Sequence, residues 1–593
     1  MRTPVPRILF VLVFLCAVPA LAVVKHVYVD DNATPPGNGS LVAPYPNIST
    51  ALIRAVDYQP GDVLHIHLRP GEYREKVSKA GWLGIPADLI IEGDLINRPV
   101  IKGSVTLSDW TAVSANEYVT DWPYDLFEGY PAYNENDKSV VWWYYGNDPD
   151  NSYRAEYVSR WESVWVDGQR LTQILTTEEA GPGTFLVDQT NDKLYVWLED
   201  GGNPEAHTVE AAVRPQGLNF VRMNSVTLEN LVVQHAKTGI LATQTANITV
   251  NNCLVRDNVE DGIAVSLMDS FVANNTVATR NGYNGIQPSF SLNLDFVDVS
   301  LTENNWRGYH VNAGNWQVAG MKLYGVANVM MDNVTAADNL TSGIWFDRYS
   351  DSVDMANCTM EDNYGSGLFW EISPGPIELK NCTFRNNGLG LLHGDDLSTT
   401  YSGLLINSGA NLRAERCTFE TSYPYNVRIA NSGRRADLWK DGEEGVSEPI
   451  DVLGLVFDHC TFSFVEPDSN GIFVPEFLDP DWMWENAITI IDDADSPAAP
   501  DPGQFYDDYA FNLSPNPSIN TSLLSIELPD VADINVRLFD VLGRQVSTMT
   551  HRQVQPGLFR TPVDVSRLAS GAYFLSVRAG GDDVGMRKLV VVK

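Results

Sequence analysis

Apolar and polar positions alternate along this chain, but in runs far shorter than an ordinary sheet requires. Ile248-Thr249-Val250 and Val353-Asp354-Met355 each place two apolar residues on one face and then stop. Behind such runs comes a polar triplet ending in asparagine: Arg256-Asp257-Asn258, Glu361-Asp362-Asn363, Arg385-Asn386-Asn387. Between the runs stands a glycine followed by an apolar residue. Gly239-Ile240, Gly262-Ile263, Gly285-Ile286 and Gly308-Tyr309 are spaced by 23 residues (262−239, 285−262, 308−285). Gly343-Ile344 follows after 35 residues (343−308), which predicts an insertion in that turn, and Gly367 and Gly390 resume the spacing at 24 and 23. A strand period of two nested in a long fixed period predicts stacked repeats. A propeller blade needs roughly 40 residues, and a leucine-rich repeat needs a helical half that this pattern lacks. The pattern fits one turn of a right-handed parallel β-helix with three short strands. Inward residues then stack on like residues about 4.8 Å away along the axis. Asparagine suits the corners because it tolerates the left-handed backbone region and hydrogen-bonds the main chain.

Five of the six cysteines follow the same rhythm, the sixth being Cys16 near the N-terminus. Cys253, Cys358, Cys382, Cys417 and Cys460 each stand in a frame such as Asn357-Cys358-Thr359-Met360 or Arg416-Cys417-Thr418-Phe419. Their repeated place predicts small buried thiols in the core. No CxxC spacing is present, which argues against zinc.

Both ends depart from the repeat. Arg2 and Arg7, the apolar stretch from Ile8 to Val18 and Ala20-Leu21-Ala22 read as a signal peptide over 1–22. The apolar run is too short to span a bilayer, and no later segment approaches 18 uninterrupted apolar residues. Residues 106–210 break the period and are rich in aromatics, among them Trp110, Trp122, Trp142, Trp143, Trp161 and Trp165. SVWVDGQRL and GTFLVDQTNDKLYVWLED predict hairpins turning at Asp167-Gly168 and Asn191-Asp192. This segment reads as an inserted β subdomain, its aromatics forming either its own core or a surface for sugar rings. Residues 491–512 are rich in Asp, Pro and Ala and read as a linker.

Two resemblances sharpen the picture. Tyr28-Val29-Asp30-Asp31-Asn32, Pro46-Asn47-Ile48-Ser49-Thr50-Ala51-Leu52, Gln59-Pro60-Gly61-Asp62 and Arg69-Pro70-Gly71-Glu72-Tyr73 open the chain. Together with the repeat they resemble the secreted parallel β-helix family that includes pectate lyases, polygalacturonases and alginate-active enzymes. The resemblance covers roughly residues 26–105 and 210–465. It implies an amphipathic helix near 49–57 capping the first coil, as an open solenoid end requires. The paired-Asp and vWiDH-type signatures of the well-characterised members are not clearly present, so the resemblance speaks for fold more than for reaction. In the tail, Leu513-Ser514-Pro515-Asn516-Pro517, the DVLGR turn at 540–544, the ASGAYF strand at 569–574 and Arg587-Lys588 before the final valines are similar to the C-terminal sorting domain of the type IX secretion system. That similarity implies export across the outer membrane, with removal of the domain and often attachment to the surface.

The organisation expected is therefore an all-β chain. It has a signal peptide at 1–22, a helical cap and first coils at 23–105, an inserted β subdomain at 106–210 and a parallel β-helix at 211–490. A linker at 491–512 and a β-sandwich sorting domain at 513–593 complete it. The 593 residues carry a net charge of −36, with an isoelectric point near 4.5. That balance argues against nucleic acid or an anionic membrane as partner. A monomer acting on a polysaccharide is expected.

Candidate chemistry gathers where the coil widens. Asn304-Asn305-Trp306-Arg307-Gly308-Tyr309-His310, Trp316 and Lys322 lie there; the next coils bring Trp345, Asp347, Phe369 and Glu371, then His393 and Asp395. Asp347 and Glu371 both stand four places after their leading glycine, which puts the two acids one strand apart, at roughly 5 Å. Carboxylates that close repel by a few kcal/mol at intermediate dielectric and need compensation. Three arrangements provide it. One acid holds a proton, giving the pair of a retaining glycosidase. Or calcium lies among Asp347, Glu371 and Asp395, as in a lyase; Lys322, Arg307 or His310 is then the base that takes a proton beside a uronate carboxylate. Or Lys322, Arg348 or Arg307 neutralises them as a surface network. Asp347, Glu371, Lys322 and His310 are the candidate catalytic residues. Trp306, Arg307, Trp316, Trp345 and His393 are the candidate sugar contacts. The leading expectation is polysaccharide cleavage by hydrolysis or β-elimination; the alternative is a non-catalytic adhesin or glycan-binding solenoid.

Overall fold

A computed structural model describes residues 23–54, 62–81, 88–124, 126, 160–308, 318–389, 401–422, 425–430, 435–436, 439–440, 443–444, 448–449, 452–463, 472–473, 488–491, 511–514, 521–528, 531–540, 545–566, 568, 571–580 and 582–591. The predicted signal peptide lies outside the described residues, as do 492–510 of the predicted linker and His310, Trp316, His393 and Asp395.

Three parallel sheets wind around one core. Among the described residues the first has 13 strands, running from Val24–Val29 to Ile488–Ile491, and the other two have 11 strands each. Each strand pairs with the equivalent strand one coil away, so like residues fall into columns. Ile240, Ile263, Ile286, Met321, Ile344, Leu368, Leu404 and Val427 stand in one column, all fully buried. Phe384, Phe419 and Phe462 form another, with ring centroids 4.7 and 5.0 Å apart. The short apolar alternation of the sequence suffices because each coil buries its inward residues against two neighbours rather than one partner strand.

The glycine column explains the period and corrects its register. It runs Gly239, Gly262, Gly285, Gly320, Gly343, Gly367, Gly403. A β-carbon on Gly343 would lie 2.6 Å from the Gly367 carbonyl oxygen, and one on Gly262 2.5 Å from that of Gly285. No side chain fits so close to the next backbone. Gly308, expected in this column, is instead a turn residue at φ +70° with open space around it. The widened coil therefore spans Gly285 to Gly320, 35 residues (320−285), and a second one spans Gly367 to Gly403, 36 residues (403−367). The spacing of 23 before Gly308 was coincidental, since the insertion begins just after it.

The asparagine triplets divide their labour. The middle residue takes the left-handed conformation, as at Asp257, Asp362 and Asn386. The last asparagine points inward. Asn258, Asn281, Asn304, Asn339, Asn363 and Asn387 form a buried ladder in which each Nδ2–H donates to the Oδ1 of the next at 2.9–3.0 Å. The same oxygens accept backbone N–H groups, so interior corners carry satisfied polar groups. Cys253, Cys358, Cys382 and Cys417 are buried and Cys460 is half-buried, all as free thiols. Burial pushes the Cys253 thiol up to about 12, which makes it an inert apolar filler.

The capping helix runs over Ile48–Arg54, and its first two N–H groups donate to the Glu75 carboxylate at 2.7 and 2.8 Å. The segment between the first coils and the continuous solenoid holds antiparallel hairpins. Val164–Val166 pairs with Gln169–Arg170, and Thr184–Asp188 with Lys193–Trp197. Its core includes Trp122, Phe185, Leu194 and Val196, while Trp161 and Trp165 pack on Val259 of the helix. Trp122 is thus a core residue and Trp161 and Trp165 are contact residues, while Trp142 and Trp143 lie outside the described residues. In the C-terminal sandwich, Thr521–Leu528 and Gly557–Asp564 belong to one sheet, and Ala532–Asp540 and Gly571–Ala579 to the other. Leu524, Ile526, Ile534, Val536 and Leu575 fill the space between them.

Candidate functional site

Parity within the strands decides which way the candidate side chains point. In Ala319–Tyr324, Ser342–Asp347 and Leu368–Glu371 the inward residues are Met321 and Leu323, Ile344 and Phe346, Leu368 and Trp370, all members of the solenoid core. The alternate positions face outward. They form two columns: Lys322, Trp345 and Phe369 in register, and Tyr324, Asp347 and Glu371 beside them. The Arg348 N–H donates to the Glu371 carbonyl at 3.2 Å, holding the two acidic residues on adjacent strands.

These outward side chains are nonetheless buried. Lys322 is 1% exposed, Glu371 3%, Asp347 5% and Trp345 6%. Groups so desolvated need partners, and most have them. Lys322 Nζ donates to Asp347 Oδ2 at 2.8 Å and sits 3.0 Å from the centroid of the Trp345 ring. Trp345 Nε1–H donates to Glu371 Oε2 at 3.1 Å. Trp345 stacks on Phe369 with centroids 4.8 Å apart. Arg348 Nη1 donates to the Tyr324 hydroxyl at 2.8 Å. The exception is Asp347 Oδ1, a buried carboxylate oxygen with no hydrogen-bond partner.

Of the expected site, the fold thus brings together Lys322, Trp345, Asp347 and Glu371. Tyr324 joins them, standing four places after Gly320 as Asp347 stands four places after Gly343. Trp306 and Arg307 are instead engaged by the insert. The Arg170 guanidinium lies 3.4 Å from the Trp306 ring centroid, and Arg307 donates to the carbonyls of Arg160 and Glu162. The widened coil thus anchors the insert through these two residues. A calcium ion fits the described donors poorly. It takes 6–8 oxygens, whereas here an ammonium already neutralises Asp347 and an indole N–H already bonds Glu371. Among the described residues, Asp347 and Glu371 join no group of three or more metal-ligating side chains.

Comparison with known proteins agrees with this architecture. Residues 207–323 and 238–419 match the model of the right handed beta helix region. Residues 512–592 match that of the secretion system C-terminal sorting domain. A solved structure of XylC in complex with xylose aligns with 90% of this chain and 99% of its own, at 13% identity and a TM-score of 0.56; the likeness is one of fold. The A-module of the Azotobacter vinelandii mannuronan C-5 epimerase AlgE4 aligns with 76% of this chain and 100% of its own, at 13% identity. Its TM-score of 0.35 is too low to bear on function. No curated protein matches the chain. No helix among the described residues is long and apolar enough to cross a membrane.

Proposed function

We propose that this chain, a right-handed parallel β-helix protein exported by the type IX secretion system through its C-terminal sorting domain, cleaves a polysaccharide at the Asp347–Glu371 pair. One observation carries the reading: Asp347 presents a buried, unpartnered carboxylate oxygen beside Glu371 on the next strand. Adjacent strands are about 4.8 Å apart, close to the roughly 5–5.5 Å between the carboxyl groups of a retaining glycosidase. Lys322 bonds one oxygen of Asp347 and leaves the other for attack on an anomeric carbon. Glu371, oriented by the Trp345 N–H, then gives its proton to the leaving oxygen and takes one from water in the second step. Phe369, half-buried beside Trp345, supplies an apolar contact for a sugar ring.

The test is incubation of the exported protein with a panel of neutral and uronate polysaccharides. Hydrolysis raises reducing ends alone, while elimination also raises the ultraviolet absorbance of unsaturated uronates. Asp347→Asn and Glu371→Gln are expected to lower the rate by about 10²–10⁴-fold; full activity in either variant overturns the assignment. A second reading, glycan binding without cleavage, is favoured by the near-complete burial of both carboxylates. Saturable polysaccharide binding with no product would establish it in place of the first.

A further inference from the structure

The chain has 9 histidines, and three of them meet on one small patch far from the carboxylates. The strand Val63–Leu68 reads Val-Leu-His-Ile-His-Leu. Leu64, Ile66 and Leu68 face the core, so His65 and His67 face outward, two residues apart on one strand. The neighbouring strand Val24–Val29 brings His26 into register with His65. The strand on the other side, Asp88–Gly93, brings Glu92 into register with His67. Three parallel strands thus converge on one point of the outer face.

The donor atoms are close. His26 Nδ1 lies 2.9 Å from His67 Nε2, and the three histidines can each offer one nitrogen within 4.8 Å of the other two. The His65 and His67 rings lie with centroids 3.9 Å apart. Glu92 Oε2 lies 2.8 Å from His65 Nε2 and 3.3 Å from His67 Nδ1. A neutral imidazole that gives one N–H to this carboxylate keeps a lone pair on its other nitrogen. One acid therefore orients two rings at once, as a carboxylate behind metal-bound histidines does. Tyr28 stacks on His67 with centroids 4.9 Å apart and limits the rotation of that ring. The cluster is only partly covered, so an ion can enter: the side chains of His65, His67 and Glu92 are 17%, 26% and 28% exposed.

We propose that His26, His65 and His67 form a binding site for a late first-row divalent cation, with zinc the natural candidate and Glu92 as the carboxylate that orients its ligands. Three imidazoles suit zinc, copper or nickel rather than calcium or magnesium. Nitrogens bound to zinc at about 2.0–2.1 Å in tetrahedral geometry stand roughly 3.3 Å from one another. The His26–His67 pair is already within that distance, and small side-chain rotations bring in His65. The strand Val24–Val29 is the edge of its sheet. An ion shared between it and Val63–Leu68 pins the first strand of the solenoid, where an open end is otherwise prone to fray. The fourth position is left to water. This inference does not depend on the polysaccharide reading.

The test uses the full chain, C-terminal domain included, without a histidine tag. Zinc titration by calorimetry, with cobalt absorption as a second probe, is expected to show one ion per chain, and zinc is expected to slow amide exchange across residues 24–29. His65→Ala and His67→Ala should each weaken binding at least about 10-fold, and Glu92→Gln by about 10–100-fold. His551→Ala, in the C-terminal domain, should leave binding unchanged. All four substituted positions face outward or lie elsewhere, so metal-free melting of the variants serves as the folding control. Absence of saturable zinc and cobalt binding in the parent chain overturns the proposal, as does unchanged affinity in the folded His65→Ala/His67→Ala double variant.

Discussion

Lys322 and Asp347 can be weighed against each other by a double-mutant cycle. Their charged atoms are 2.8 Å apart, and both side chains are almost wholly removed from water. Unit charges at that distance attract by about 6 kcal/mol at an effective dielectric of 20, and desolvation offsets much of this. Removing one partner is costlier than the net value of the pair because it strands the other charge. Asp347→Asn and Lys322→Met are each expected to destabilise the coil by about 3–5 kcal/mol. Methionine keeps an aliphatic chain over Trp345 but lacks the ammonium now 3.0 Å from that ring. In the double variant no charge is stranded, and the loss should fall to about 1–2 kcal/mol, a coupling of at least about 4 kcal/mol. The assay is urea denaturation followed by Trp fluorescence, with amide exchange in residues 342–347 reporting the coil itself rather than the separate C-terminal domain. A coupling below about 1 kcal/mol would refute the account of a desolvated, mutually dependent pair. A double variant that is nearly as stable as the parent yet inert on polysaccharide would show that the pair is kept for chemistry.

Four further substitutions probe the columns and one turn. Asn304 accepts from the N–H and Nδ2–H of Asn281 and donates to Ala278 O and Asn339 Oδ1, all at 3.0–3.1 Å. Asn304→Ala should therefore cost about 3–5 kcal/mol in denaturant melts, since it leaves interior backbone groups unpaired; a loss under about 1 kcal/mol would contradict the ladder's role. Burial raises the pKa of Asp261 to about 6, against the hydrogen bond from Asn284 that lowers it. The folded chain thus binds a proton more readily than the unfolded chain, so this group's contribution is full below about pH 4 and is lost as pH rises through about 6. Asp261→Asn, which mimics the protonated form, should match the parent at pH 4 and exceed it at pH 8 by about 1–3 kcal/mol, read from melting curves at the two pH values. Gly343→Ala should destabilise by about 2–4 kcal/mol, because its β-carbon would meet the Gly367 carbonyl at 2.6 Å. Gly168→Ala, at φ +80° with no atom nearby, should cost only about 1 kcal/mol in the same melt.

Much of the solenoid was legible from spacing alone, because a repeat that stacks on itself demands the same residue type at the same place in every coil. The isoleucine and phenylalanine columns, the asparagine corners and the buried thiols all follow from that demand. The register across the first insertion departs from the expected one at Gly308, where a turn glycine continues the spacing of 23 outside the column. Only the backbone contact of Gly320 with Gly343 resolves it. Asp347 and Glu371 keep their shared offset because Gly343 and Gly367 both belong to the column.

By itself the sequence determined the fold, the compartment and the alignment of two acids, because each is written in local spacing. It specified the stacked coils, the export domain at the C-terminus and the shared offset of Asp347 and Glu371 from Gly343 and Gly367. Tertiary structure decided everything that depends on which side chains share a space. It drew Trp306 and Arg307 to the insert, set Lys322 against Asp347 rather than free as a base, and left one carboxylate oxygen buried without a partner. It also gathered His26, His65, His67 and Glu92 from three strands. In the chain His26 and Glu92 lie 66 residues apart (92−26). Parity of two fixes which face a side chain takes, but only the winding of successive coils sets the neighbours on that face.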